Sequence, residues 1–168
     1  MEKIKKILAP TDLTEDSKEG VRYALHLAIA LGAELTTYYV VSYDENSRRC
    51  GPHGDKKTGQ RPLPQYANPL ESYQFALAGF LNDHFPALIP WVKIREKVEL
   101  GVADKKIVEW ARKEESDLII ISFHGSGMDP DAAGESVGER VIRNAPCPVL
   151  SIRLPVGEEA TQKETACV

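Results

Sequence analysis

Asp117-Leu118-Ile119-Ile120-Ile121-Ser122-Phe123-His124-Gly125 carries the architecture of this chain. The apolar run from Leu118 to Ile121 lacks the alternation of a strand with one wet face, so it wants cover on both sides, as in the middle of a parallel sheet. It empties into a small-residue loop opening at His124-Gly125. A helix follows, and then a Pro-bracketed strand through Val149, Leu150 and Ile152 that ends at Arg153. A buried strand leading through a glycine turn to a helix N-terminus is a ready anion site, which puts any chemistry of this chain there.

Upstream, Ile4 to Ala9 forms an apolar strand that stops at Pro10-Thr11-Asp12. Val21, Ala24, Leu25, Ala28 and Leu31 then recur at helical spacing until Gly32. Leu35 to Val41 is rich in β-branched and aromatic residues and reads as the second strand. Residues 42–65 dissolve into polar, Gly and Pro positions, a length that marks an insertion. A helical stripe resumes at Leu70, Tyr73, Leu77, Phe80 and Leu81. Val92, Ile94, Val98 and Leu100 alternate as a half-exposed strand, with Glu96 on the apolar face, which a sheet edge tolerates best. Ile107, Val108 and Ala111 mark a short helix before Leu118. The order is β-α-β-α-β-α-β-α-β, which right-handed crossovers turn into an α/β, doubly wound, five-stranded parallel sheet with helices on both faces. A central Leu118 strand and an edge strand at Ile94 select the order 3-2-1-4-5. In such a sheet ligands bind beyond the carboxyl ends of the strands where the winding reverses, so Pro10-Thr11-Asp12 and His124-Gly125 should meet at one crevice.

The chain has 168 residues, 42% of them apolar, enough for one domain with a real core. That domain is expected over residues 1–154, followed by a polar tail at 155–168. A net charge of −4 supplies no basic stripe for phosphate backbones, which argues against nucleic-acid binding. No apolar run is long enough to span a membrane, and no signal-peptide pattern opens the sequence, so the expected location is cytoplasmic. Three widely spaced cysteines, Cys50, Cys147 and Cys167, fit a reducing compartment better than a disulfide framework.

Ile7-Leu8-Ala9-Pro10-Thr11-Asp12, Asp117-Leu118-Ile119-Ile120 and the block Ser136-Val137-Gly138-Glu139-Arg140-Val141-Ile142-Arg143-Asn144-Ala145-Pro146-Cys147-Pro148-Val149-Leu150 together resemble the universal stress protein family. The resemblance covers Lys3 to about Arg153. It implies a Rossmann-like domain, a homodimer paired through the last strand (Val149, Leu150, Ile152), and in one branch binding of ATP. It casts the chain as a non-enzymatic stress-response regulator. On that reading Asp12 meets the ribose, Pro10, Thr11 and Val40 frame the adenine, and Ile121 and Val137 are further nucleotide-binding candidates. His124, Gly125, Gly127 and Ser136 attend the phosphates. ATP or AMP is the implied ligand, with Mg2+ only alongside nucleotide. The phosphate loop departs from the family's glycine pattern at Ser122 and at Glu135, whose carboxylate opposes a polyphosphate.

These positions also have plain structural readings. Asp12 suits a β-to-α turn that satisfies free amides. Ser136 with Glu139 three residues on is a capping box needing no ligand. Val137 and Val141 should face the sheet, with Arg140 and Arg143 on the exposed side. Cys50 and His53 have a metal-like spacing but form a single pair, short of a structural zinc site. The enzymatic alternative, slow ATP hydrolysis or phosphoryl transfer, lacks a Walker lysine after the glycine loop.

Overall fold

The computed structural model describes residues 3–43, 69–123 and 136–153. The insertion from residue 44 to residue 65, the tail, and His124, Gly125, Gly127, Glu135, Cys50 and His53 lie outside the described residues. The elements are β1 (Lys6–Thr11), α1 (Glu15–Leu31), β2 (Glu34–Val41), α2 (Pro69–His84), β3 (Ile94–Leu100), α3 (Ala103–Lys113), β4 (Leu118–Phe123), α4 (Val137–Asn144) and β5 (Val149–Arg153). All five strands run parallel in the order β3-β2-β1-β4-β5. This is the doubly wound sheet expected from the two strand patterns.

The period of two along each strand splits the core into two layers. Ile7, Ala9, Leu35, Tyr39, Val41 and Ile120 point to the face covered by α1 and α2, where Val21, Leu25, Tyr73 and Leu77 meet them. Their neighbours Leu8, Tyr38 and Ile119 point the other way, to Ile107, Trp110 and Val141 of α3 and α4. Ile7, Leu8, Ile119 and Ile120 are all essentially inaccessible. Each such side chain contributes roughly 1.5–3 kcal/mol relative to exposure, which explains why an unbroken apolar run marks the middle of the sheet.

Helix α1 ends where the sequence stops supporting it. Gly32 adopts a left-handed φ of 63°, and the next amide, that of Ala33, bonds back to Ala28 O at 2.9 Å. At the same end of the sheet Asp117 Oδ2 accepts the amides of Lys5 (2.8 Å) and Lys6 (2.9 Å), fixing the start of β1 beside the start of β4.

One boundary differs from the sequence expectation. Strand β1 does not stop before Pro10 but runs through it to Thr11. The Glu34 amide donates to Lys5 O, so the odd-numbered residues of β1 turn their polar groups toward β2 and the even-numbered ones toward β4. Pro10 is even. Its missing N–H leaves the β2 ladder intact, and that ladder continues to Thr11↔Tyr39.

Candidate functional site

Proline in the interior of a central strand removes a ladder donor, and here the loss falls on one side only. The β1–β4 pairing comprises Ile7↔Leu118 and Leu8↔Ile119 and goes no further. Beyond Leu8 the two central strands part, at the point where the winding reverses, and a crevice of about 200 Å³ opens between them.

Six of the ten sequence-predicted site residues line it: Pro10, Thr11, Asp12, Val40, Ile121 and Val137. Ser136 adjoins it as the N-cap of α4. The remaining three are His124, Gly125 and Gly127. Ser17, Tyr38, Ala103, Ile107 and Gly138 complete the lining without having been singled out from sequence, together with Ser122, which was noted only as a missing glycine. The floor is apolar, and Tyr38 within it stacks on Trp110 at 5.4 Å between ring centroids.

The β1–α1 turn is closed by its own hydrogen bonds. Leu13 N–H donates to Thr11 Oγ1 (3.1 Å), which lies 2.8 Å from Ser17 Oγ, and Ser17 Oγ donates to Thr14 O at 3.0 Å. A hydroxyl has one hydrogen, so the Thr11 hydroxyl must be the donor to Ser17. Asp12 Oδ1 accepts both the amide (3.0 Å) and the hydroxyl (2.6 Å) of Thr14. Partial burial works against the charged form of Asp12, but these two bonds, with the Ser17 hydroxyl and Asp12's own amide, outweigh it and hold the carboxyl below its ordinary value. The turn role expected of Asp12 is therefore real, and Oδ2 takes neither Thr14 bond.

The same register gives one acceptor no ladder partner among the described residues. Val40 is even-numbered in β2 and faces β1, past the last pair. The amide that the ladder would bring to its carbonyl is that of Leu13, which Thr11 Oγ1 has taken instead.

On the β4 side, Ser122 stands where the family pattern has glycine. Its Oγ accepts Gly20 N–H at 2.9 Å and donates to Ser17 O at 3.2 Å, tying the end of β4 to α1. Gly20 is what makes room for it: a Cβ there would lie 2.3 Å from Ser122 Oγ and 2.9 Å from Ser122 N.

Helix α4 starts with the capping box read from its sequence. Ser136 Oγ accepts Glu139 N–H (3.2 Å), and Glu139 Oε2 accepts Ser136 N–H (2.8 Å). The Ser136 amide, with its hydroxyl, holds the Glu139 carboxyl below its ordinary range. Two side chains of this helix depart from expectation. Val141 is buried against the sheet, but Val137 is 38% exposed, because as the first helical residue it borders the crevice. Arg140 does not simply decorate the surface: its Nε lies 3.1 Å from Asp104 Oδ2 and joins α4 to α3.

A second, smaller concavity sits at the amino ends of the strands, lined by Lys6, Glu34, Arg95 and Glu114. Its side chains are tied to groups of the same concavity. Arg95 bridges Glu34 (3.1 Å) and Glu114 (2.8 Å), and Lys6 Nζ donates to Glu114 O (2.8 Å).

A doubly wound parallel sheet, parted at its topological switch point with the starts of α1, α3 and α4 around the parting, defines a Rossmann-like domain with a crevice where sheets of this kind bind ligands. The universal stress protein family model matches residues 3–153. The universal stress protein MJ0531 of Methanocaldococcus jannaschii is 32% identical over 162 residues, covering 92% of this chain and 85% of that protein. The chain therefore belongs to the universal stress protein family. Among solved structures, a universal stress protein in complex with cAMP superposes with a TM-score of 0.63 at 19% identity, over 90% of this chain and 98% of that one. The universal stress protein from Archaeoglobus fulgidus in complex with dAMP gives 0.51 at 15% identity, over 90% and 98%. At those identities the likeness carries the fold.

Proposed function

We propose that this universal stress protein is a non-enzymatic, dimeric, cytoplasmic regulator whose crevice at the β1–β4 parting takes an adenine nucleotide, AMP more readily than ATP. The observation that carries the reading is convergence. Pro10, Thr11, Asp12 and Val40, predicted to frame base and ribose, line one cleft with Ile121 and Val137 from more than 80 residues away. Two structural neighbours are complexes with adenine nucleotides, cAMP and dAMP. The described lining carries no Lys or Arg, and phosphoryl transfer needs charge neutralisation at the transferred group, which supports a binding role over a catalytic one.

Equilibrium titration with AMP and ATP, with and without Mg2+, tests the ligand. Saturable binding is expected, weaker for ATP, with no effect of Mg2+ alone. Tight ATP binding with phosphate release above that of a heat-denatured sample would instead favour an ATP hydrolase.

The dimer reading rests on the two edges of the sheet. Strand β3 presents Arg95, Glu96, Lys97 and Glu99, a charged edge of the kind that discourages pairing. Strand β5 presents Val149, Leu150 and Ile152, with Leu150 41% and the nearby α4 residue Ile142 48% exposed. Pairing of β5 with its symmetry mate covers that edge. Sedimentation should show a dimer at roughly tens of micromolar and a monomer for Leu150→Arg. A monomeric wild type contradicts the assignment. No described helix is long and apolar enough to cross a membrane.

A further inference from the structure

Among the described residues, two other than glycine have a left-handed backbone: Leu13 (φ 64°) and Glu115 (φ 53°). A Cβ crowds the neighbouring carbonyl in that conformation, which is why glycine or asparagine ordinarily fills it. Glu115 has a familiar reason to adopt it. It follows Glu114, the C-cap of α3, and the Ser116 amide bonds back to Ala111 O at 2.9 Å, the closure that ends many helices. No helix ends at Leu13. It stands between Asp12 and Thr14, the N-cap of α1.

The turn is held on both sides of this residue. The Leu13 amide donates to Thr11 Oγ1 and so does not extend the β2 ladder, whose last pair is Thr11↔Tyr39. The next amide, that of Thr14, donates to Asp12 Oδ1. The Leu13 side chain packs against the core layer under α1 and α2, whereas its neighbour Asp12 lines the crevice. Glycine would take this φ without strain but has nothing to anchor. Leucine bears the steric strain and fixes the turn by burying its side chain, and strain of this kind gathers where a fold holds a binding group in place. We infer that Leu13 is a positioning residue of the crevice: its buried side chain locks the left-handed turn that presents Asp12 to the ligand. The inference rests on the adenine-nucleotide reading above and adds to it a residue that does not line the crevice.

Calorimetric titration of the full chain with AMP, beside amide hydrogen exchange of the ligand-free protein, tests it in Leu13→Gly and Leu13→Met. Relieved of strain, Leu13→Gly should unfold at a urea concentration near that of the wild type. It should nevertheless bind AMP about tenfold more weakly, because the turn must then be ordered on binding. Its Thr14 amide should exchange about tenfold faster or more, while core amides such as those of Leu8 and Ile119 keep their protection. Leu13→Met retains an apolar anchor and should bind within about twofold of the wild type. If the wild type binds AMP and Leu13→Gly binds it equally, or keeps its Thr14 amide protected, the inference is overturned and the adenine reading stands. Affinity lost together with the protection of the core amides overturns it equally, since Leu13 would then serve the core alone. Absence of AMP binding by the wild type removes the adenine reading and the inference together.

Discussion

Strand β1 has two unlike sides. Toward β2 it is paired along its whole length, from Lys6↔Glu34 to Thr11↔Tyr39, whereas toward β4 it is paired at Ile7 and Leu8 alone. Both sides belong to the same buried strand, covered by helices above and below. The difference comes from the parity of one residue. Pro10 falls on the β4 side, where its missing N–H ends the ladder and opens a cleft, and the adjacent turn has bonded its polar groups to one another. The sheet is thus continuously paired on one side of its central strand and parted into a candidate site on the other, with no change of element between them.

If the paired side is the scaffold, damage there should be costly. Leu8→Ala, at an inaccessible position, is expected to lower stability by about 2–5 kcal/mol in urea unfolding. A loss below 1 kcal/mol would mean that the core layer over α3 is loosely packed. On the parted side the effect should be smaller. Gly20→Ala gains about 1 kcal/mol of helix propensity, but its Cβ meets both Ser122 Oγ and Ser122 N. The net outcome is a loss of about 1–3 kcal/mol. Adding Ser122→Gly should recover part of it, since the hydroxyl clash is relieved and the backbone contact is not. No recovery would show that Ser122 is not what Gly20 accommodates.

Asp12→Asn weakens the turn that faces the cleft, at about 1 kcal/mol for the charged hydrogen bonds lost. The sign of its pH dependence follows from the direction of the shift. The folded carboxyl titrates below its ordinary value of 3.8, so the stability its charge contributes is present above that value and lost as pH falls through the lower folded value. The gap between wild type and variant should therefore close only in strong acid. A gap that closes near neutrality would exclude Asp12 as its source. The smallest effect is expected at the amino ends of the strands. Arg95→Ala removes exposed ion pairs to Glu34 and Glu114 and should cost about 0–1 kcal/mol, shrinking with added salt.

Much of this was legible before the structure. An unbroken run at Leu118 to Ile121 needs cover on both faces and an alternating run near Ile94 does not, and those two patterns alone order the strands. Ser136 and Glu139 announced their capping box by spacing. What sequence does not carry is partnership across the chain. Ser122 reads as a defect in a glycine pattern until Gly20, 102 residues away, is seen to receive it. Arg140 lies on the outer side of a short helix until Asp104 of α3 meets it. Pro10 looks like the end of a strand, because which side its nitrogen faces depends on register with β2. Tyr38 was absorbed into a strand pattern. An aromatic residue with a hydroxyl, in a run otherwise suited to a buried strand, was the one signal that its ring has a polar errand, met by Glu99. Ala103 and Gly138 gave only their small size at helix starts.

The central claim is that the parting of β1 from β4 is where the ligand sits. Backbone amide NMR during titration with adenosine or AMP tests it most directly. The expected result is that shifts concentrate at Thr11, Asp12, Val40, Ser122, Val137 and Gly138, with Lys6, Glu34, Arg95 and Glu114 silent. Saturable shifts centred on that second group, at the opposite ends of the strands, would contradict it.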